Sequence, residues 1–299
     1  MQLFDQLKSP ILCLAFSPDG ATLVATPGHR RTLGCWTFPE GEFSQLHPSV
    51  NGRLSCHAYS PEGTILAVGS MDGVVRLYIF GEKNDDLEFY PGDPHGQQIP
   101  VYQMAFAPHR LKNPVLATAS LGMKLYSVSG RILADDGFFT ALAWSPDGKA
   151  LAGINDMDMQ GSVVIVWILD RTLRPQLRHE IQLPRASSLA FSPDGRILAV
   201  ADENAVRSYN VHRTSLSPGP VFYGHRGTVN QLAFHPNEQW LATASDDQTV
   251  RFWDAASGKE RESFNWEIGR VRALAFAPDG MRCAAGGDKG RVVIWDVDV

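Results

Sequence analysis

The chain has 299 residues, and 27 Lys and Arg residues against 32 Asp and Glu residues give it a formal net charge of −5 at pH 7. This mildly acidic charge argues against generic binding to nucleic acid or to a membrane surface. The four cysteines lie far apart with no CxxC spacing, which argues against a zinc site and indicates buried, reduced thiols.

The N-terminal sequence MQLFDQLKSP has neither the basic segment nor the apolar stretch of a signal peptide. No apolar run along the chain approaches the length of a membrane span. We therefore expect a cytoplasmic, soluble protein without a membrane segment.

One pattern recurs along the whole chain. Each copy begins with a short alternating run that ends in an aromatic residue, and consecutive aromatics are 43, 47, 38, 47, 43 and 42 residues apart. These aromatics are Phe16, Tyr59, Phe106, Trp144, Phe191, Phe234 and Phe276. A turn such as SPDG at residues 17–20 follows, in which Pro sets φ, Asp caps the turn and Gly accepts the left-handed conformation. Each copy therefore predicts a tight hairpin.

A third run closes each copy at a second aromatic residue. These residues are Trp36, Tyr78, Tyr126, Trp167, Tyr209, Trp253 and Trp295. Three short runs separated by turn residues predict an antiparallel meander in every copy. Because the copies follow one another from end to end, we expect a single domain over residues 1–299, with no room for a catalytic insertion.

The copy at residues 224–254 is the most complete one. Gly224-His225 precedes its first run and Trp253-Asp254 ends its third, while Trp295-Asp296 ends the last copy. A period of about 40–45 residues with these two signatures resembles the WD-repeat family. The resemblance implies an all-β fold, a seven-bladed β-propeller of four-stranded antiparallel blades.

The residue before the first aromatic is alanine in every copy. These alanines are Ala15, Ala58, Ala105, Ala143, Ala190, Ala233 and Ala275. Because side chains alternate across a strand, the alanines face away from the aromatics. Small and large residues on opposite faces fit a radial array whose innermost strands crowd near the axis.

The two ends of the chain complement each other. The last copy stops at Val299, just after its third run, and residues 2–8 precede the first full copy. The resemblance implies that residues 2–8 form the outer strand of the last blade, which would remove an open sheet edge.

Four polar or aromatic residues of the copy at 224–254 could be mistaken for an active site. In the WD-repeat family the groups that match His225, Ser245, Asp247 and Trp253 form a structural hydrogen-bond network, and buried polar groups in a sheet must be paired. Ser70 and Asp72 repeat part of this set in the second copy. We expect these six residues to be structural.

No catalytic residue, metal ligand or cofactor is predicted from the motifs. Residues 155–161, NDMDMQG, have the alternate spacing of a calcium loop, but Trp167 stands where the loop needs its glutamate. A solvated turn is the preferred interpretation. No GxSxG, HExxH or P-loop element is present.

The resemblance also implies a partner-binding rim, made of the loops before the first strands and between the second and third strands. Counting from the aromatics, the rim residues are Arg53, Met71, Tyr102, Phe138, Arg185, Asn230, Asp246, Arg270 and Arg272. Arginine forks suit carboxylate or phosphate, and aromatics are frequent interface anchors. We predict a partner segment with acidic or phosphorylated residues. In the open alternative, Asp202, Asp246 and Asp288 pair with these arginines.

The sequence favours a non-catalytic scaffold or recognition module for a protein or peptide of unknown identity, either monomeric by itself or a subunit of a complex. Two alternatives stay open. One is an enzyme of hydrolase or lactonase type at the channel mouth, which would need a metal or carboxylate cluster there. The other is an RNA-associated scaffold, in which Tyr102 and Phe138 would stack on bases.

Overall fold

The computed structural model describes residues 1–48, 52–80, 87–89, 99–108, 114–127, 130–158, 161–237 and 239–297. In this part of the chain every regular element is a β-strand. A helix of the length and apolarity that a membrane span requires does not occur among these residues.

Seven four-stranded antiparallel blades follow one another along the chain, as predicted. Blade 1 consists of β2 (Ile11–Phe16), β3 (Thr22–Pro27), β4 (Leu33–Thr37) and β5 (Glu42–Leu46). Blade 2 consists of β6 (Leu54–Tyr59), β7 (Ile65–Ser70), β8 (Val75–Ile79) and β9 (Leu87–Phe89). Blade 5 consists of β16 (Ala186–Phe191), β17 (Ile197–Asp202), β18 (Ala205–Val211) and β19 (Leu216–Tyr223). Blade 6 consists of β20 (Val229–Phe234), β21 (Trp240–Ser245), β22 (Val250–Asp254) and β23 (Glu260–Phe264).

Blades 3 and 4 are joined in one six-stranded sheet. Its strands are β10 (Gln103–Phe106), β11 (Val115–Ser127), β12 (Gly130–Trp144), β13 (Ala150–Asp158), β14 (Gly161–Leu169) and β15 (Pro175–Leu183). The first part of β11 pairs with β10 and its second part with β12. In turn, β12 passes without a loop from the outer position of blade 3 to the inner position of blade 4. This continuity accounts for the shortest repeat step, the 38 residues between Phe106 and Trp144.

The N-terminal segment closes the ring. Blade 7 consists of β24 (Val271–Phe276), β25 (Arg282–Gly287), β26 (Val292–Asp296) and β1 (Gln2–Phe4). The strand pairs antiparallel with β26 through Gln2↔Ile294, Leu3↔Val293 and Phe4↔Val292. The predicted outer strand is thus confirmed, although it covers residues 2–4 instead of 2–8. Leu7, beyond its end, is fully buried.

The first strand of each blade is the innermost one. First strands of consecutive blades contact each other around the ring, and β24 contacts β2 to complete it. The seven predicted aromatics end these strands or, for Trp144, the long strand that becomes one. The alanines before them are half-buried, and six of them lie opposite an alanine of the second strand, as in Ala190↔Ala199 and Ala233↔Ala242, whereas Ala15 lies opposite Val24. Small side chains on this face permit the close approach of neighbouring blades.

Six of the first strands carry a β-bulge at the same place, four residues before the final aromatic. In each case two residues of the first strand correspond to one residue of the second. The extra residues are Leu12, Ser55, Thr140, Ser187, Asn230 and Arg272. In blade 3 the equivalent residue, Tyr102, directly precedes β10. We call these seven residues the bulge ring, and the propeller face on which they lie the upper face.

Candidate functional site

A buried hydrogen-bond network holds blade 6 together around Thr243. Its hydroxyl lies 2.7 Å from Nε2 of His225 and accepts a 2.8 Å hydrogen bond from Nε1 of Trp253. The other ring nitrogen of His225, Nδ1, lies 2.8 Å from the carboxylate of Asp247, which also accepts the hydroxyl of Thr249 at 2.6 Å. The network therefore connects the loop before β20 with β21, β22 and the turn between them.

The role that the sequence suggested for Ser245 belongs to Thr243. Ser245 instead donates to the carbonyl of Gly227 at 3.0 Å and accepts the backbone N–H of Asp247 at 3.1 Å, so it fixes the turn. The sequence pattern did not identify Thr243, because this residue lies inside β21 and the signature residues of the copies lie in turns and at strand ends. Strand alternation could have found it, since Thr243 and Ser245 point to the same face.

In blade 2, Ser70 and Asp72 form a local turn. The hydroxyl of Ser70 donates to the carboxylate of Asp72, lies 3.0 Å from the carbonyl of Val74 and accepts the N–H of Val74. Both residues thus stabilise the connection between β7 and β8. The side-chain bonds differ from those of blade 6, where Ser245 donates to Gly227 and accepts the N–H of Asp247.

The carboxylate of Asp247 makes the stability of blade 6 sensitive to acid. Burial would raise the pKa of Asp247, but hydrogen bonds from His225, Thr249 and the N–H of Arg226 outweigh it and hold the pKa below its usual value. A depressed pKa in the folded state stabilises the fold above the unfolded pKa of about 3.9, and this contribution is lost as the pH falls below that value.

We therefore expect Asp247→Asn to destabilise the protein strongly at pH 6 and measurably less, relative to wild type, at pH 3, where the unfolded state but not yet the folded state binds the proton. Urea unfolding of both proteins at the two pH values measures the difference. A destabilisation that is the same at both pH values would contradict the assignment.

Three bulge-ring residues connect their blade to the next one. Ser55 donates to the carbonyl of Val101 at 2.5 Å, and Ser187 donates to the carbonyl of Val229 at 2.5 Å. Asn230 makes the same type of bond, at 2.8 Å, to the carbonyl of Val271. In each case the acceptor is the residue before the bulge position of the following blade. These inter-blade hydrogen bonds fix the geometry of the channel mouth.

Three of the predicted rim residues form an ion pair and hydrogen bonds with one another. Asp246 lies 3.1 Å from the guanidinium of Arg272 and accepts the side-chain amide of Asn230 at 2.7 Å. Arg272 also donates to the amide oxygen of Asn230 at 3.3 Å. The alternative of arginine–aspartate pairing therefore applies to Arg272. This cluster is part of the structural frame that joins blades 6 and 7, and the charges of Asp246 and Arg272 neutralise each other.

The other two aspartates of that alternative, Asp202 and Asp288, do not form ion pairs with the rim arginines. Asp202 pairs with Nε of Arg207 at 2.7 Å and accepts only the backbone N–H of Arg185, at 3.0 Å. Similarly, Asp288 accepts the backbone N–H of Arg270 at 3.1 Å. The side chains of Arg53, Arg185 and Arg270 are exposed, and within the described ranges their guanidinium groups make no ion pair. Three cationic groups on the upper face are thus available to a ligand.

Apolar rim residues lie on the opposite side of the mouth from the Asp246 cluster. Met71 is 44% exposed, and its N–H donates to the carbonyl of Arg53 at 2.8 Å. The rings of Tyr102 and Phe138 pack edge to face with centroids 5.0 Å apart. The sequence predicted only that these residues share one rim, and it gave no sign that Met71 lies beside Arg53 or Tyr102 beside Phe138.

Comparison with known proteins agrees with this architecture. The family profile described as "WD domain, G-beta repeat" matches residues 2–37, 44–78, 216–254 and 262–296. The chain belongs to the WD-repeat family.

Its relatives include other WD-repeat proteins and subunits of complexes. It is 33% identical over 113 residues to "Target of rapamycin complex subunit wat1" of Schizosaccharomyces pombe, covering 38% of this chain and 36% of the relative. It is 25% identical over 156 residues to "Serine-threonine kinase receptor-associated protein" of Mus musculus, covering 52% and 42%. It is 24% identical over 269 residues to "WD repeat-containing protein WDS homolog" of Arabidopsis thaliana, covering 86% and 49%. The chain therefore spans less than half the length of each of these relatives.

This WD-repeat propeller offers no cluster of metal-ligand type among its described residues: no three His, Cys, Asp or Glu side chains lie together in a way that could hold an ion. The four cysteines are free; Cys56 and Cys283 are buried, whereas Cys13 and Cys35 are half-buried. Burial raises the pKa of the Cys13 and Cys35 thiols to about 11, so both are protonated at neutral pH.

Proposed function

We propose that this propeller is a protein-interaction scaffold that binds a partner segment carrying acidic or phosphorylated residues on its upper face. The observation that carries the proposal is the set of exposed guanidinium groups of Arg53, Arg185 and Arg270, for which the described part of the chain supplies no carboxylate partner. Each could form a bidentate pair with a carboxylate or phosphate.

Two further observations support a scaffold. The inter-blade hydrogen bonds of Ser55, Ser187 and Asn230 hold the mouth in one geometry, which lowers the entropy cost of binding. The names of two relatives describe a complex subunit and a receptor-associated protein, which favours a role in assembly.

Affinity capture from native lysate with Arg53→Glu/Arg270→Glu tests the proposal. Arg272 is left intact because its guanidinium bridges Asp246 and Asn230, so its replacement would disturb the frame. Charge reversal of two exposed contacts should reduce recovery of an acidic partner at least about 10-fold.

The matched control is Arg213→Glu, an exposed arginine on the loop between β18 and β19, at the opposite face. Capture that is lost with Arg53→Glu/Arg270→Glu and kept with Arg213→Glu supports the proposal. Equal recovery with all three proteins would rule out the upper face as the acidic-partner site.

A further inference from the structure

The bulge ring is entirely polar in the half formed by blades 5 to 7 and mixed in the half formed by blades 1 to 4, where Ser55 also donates to the next blade. In blades 5 to 7 its residues are Ser187, Asn230 and Arg272, and their polar atoms are engaged by neighbouring blades. In blades 1 and 3 the same positions hold Leu12 and Tyr102, which make no inter-blade hydrogen bond of this kind in the described structure. The polar residues Ser55, Ser187 and Asn230 therefore link neighbouring blades, whereas Leu12 and Tyr102 contribute apolar surface.

Leu12 is exposed because of the bulge. The residues on either side of it in β2, Ile11 and Cys13, are paired with β3, while Leu12 is the extra residue and is 42% exposed. A bulge turns a side chain out of the regular alternation of its strand. At this position other blades carry a residue that donates a hydrogen bond to the next blade, and a leucine side chain cannot form such a bond.

Four apolar side chains extend around this half of the mouth, one from each of blades 1 to 4. We call them the apolar arc; they are Leu12, Met71, Tyr102 and Phe138. Met71 and Leu12 are 44% and 42% exposed, and the Tyr102–Phe138 pair is half-buried. Apolar side chains grouped at a polar rim mark interaction sites more often than apolar residues scattered singly do.

Cationic side chains accompany the apolar arc at the boundary of blades 1 and 2. The N–H of Met71 donates to the carbonyl of Arg53, and the carbonyl of Arg30 accepts the N–H of Leu54, so both arginines start from backbone next to the arc. Both are exposed, and the described residues give neither an ion pair. The carboxylate of Asp72, beside Met71, is engaged by Ser70.

We propose that the apolar arc binds one large apolar side chain of the partner segment, next to an acidic residue that pairs with Arg30 or Arg53. This inference rests on the proposed function and specifies its partner. The occupant is an extended peptide that combines an aromatic or leucine side chain with neighbouring carboxylates. It lies over blades 1 to 4, and the Asp246 cluster of blades 6 and 7 contributes only the fixed opposite wall.

Two synthetic peptides test this chemistry directly. One is a fluorescein-labelled dodecapeptide with a central phenylalanine between pairs of glutamates, and the other has serine in place of the phenylalanine. Fluorescence anisotropy gives their dissociation constants for wild type and for Leu12→Ser/Met71→Ser. The control variant is Leu177→Ser/Met281→Ser, which removes two exposed apolar side chains, 38% and 58% accessible, from other parts of the surface.

Wild type should bind the phenylalanine peptide at least about 10-fold more tightly than the serine peptide, the factor expected for burying one large apolar side chain. This ratio should fall to about 1 in Leu12→Ser/Met71→Ser and persist in the control, with all variants melting cooperatively. A ratio near 1 in wild type, an unchanged ratio in Leu12→Ser/Met71→Ser, or no binding of either peptide would overturn the inference. The capture experiment with Arg53→Glu/Arg270→Glu would still decide the proposed function in each case.

Discussion

Deletion of residues 1–8 should lower the free energy of unfolding by about 4–10 kcal/mol, because two large apolar side chains lose their packing at about 2–5 kcal/mol each. Leu7 is fully buried in one cluster with Ile11 of blade 1 and Val292 of blade 7. Phe4 contacts Trp36 with ring centroids 5.2 Å apart. The deletion also exposes the edge of β26.

Urea unfolding and the melting temperature of the truncated protein measure this effect. Leu3→Ser is a suitable control, because this side chain lies in the same strand but is 52% exposed. Its substitution should change stability by about 0.5 kcal/mol or less. A truncated protein that melts at the wild-type temperature would show that the ring closes without its N-terminal strand.

Thr243→Val should destabilise the protein by about 2–6 kcal/mol, since it leaves the buried Nε2 of His225 and Nε1 of Trp253 without their shared partner and each orphaned group costs about 1–3 kcal/mol. Thr243 itself is fully buried, so water cannot replace the hydroxyl. The shape of the side chain is nearly unchanged, and the loss therefore reports the hydrogen bonds.

Thr243→Ser separates the hydroxyl from the methyl group. This variant keeps the hydroxyl and should lose only about 1 kcal/mol for the missing methyl. Thr140→Val, at a bulge position without a side-chain hydrogen bond in the described structure, should be nearly neutral. If Thr243→Val were no worse than Thr243→Ser, the network would not depend on this hydroxyl.

The periodic positions were predictable from sequence because they follow from repetition. The aromatics from Phe16 to Phe276 end the innermost strands, and the N-terminal segment completes blade 7. The joined sheet of blades 3 and 4 was not predictable, because the turn residues that end other strands also occur inside β11 and β12. Gly122, with φ of 90°, is one such residue inside β11.

The candidate site was only partly predictable. Counting residues back from the aromatics located the bulge positions, because the bulge lies the same number of residues before the aromatic in each of these blades. The residue count did not show which side chains point to a neighbouring blade. That orientation depends on distances between blades, whereas the count reports only spacing along the sequence of one blade. Arg272 and Arg270 therefore looked equivalent in sequence, yet Arg272 pairs with Asp246 and Arg270 does not.

The passage of β12 from blade 3 into blade 4 restricts how this protein can vary. Elsewhere, loops between blades can lengthen or shorten without altering the strands, and this freedom lets a propeller acquire new partners. From Gly130 to Trp144 the chain is one strand that pairs first with β11 and then with β13, so an inserted residue there would shift the register of two blades at once. Tyr102 and Phe138 lie at this crossing, where the surface offered to a partner can change by substitution but hardly by insertion.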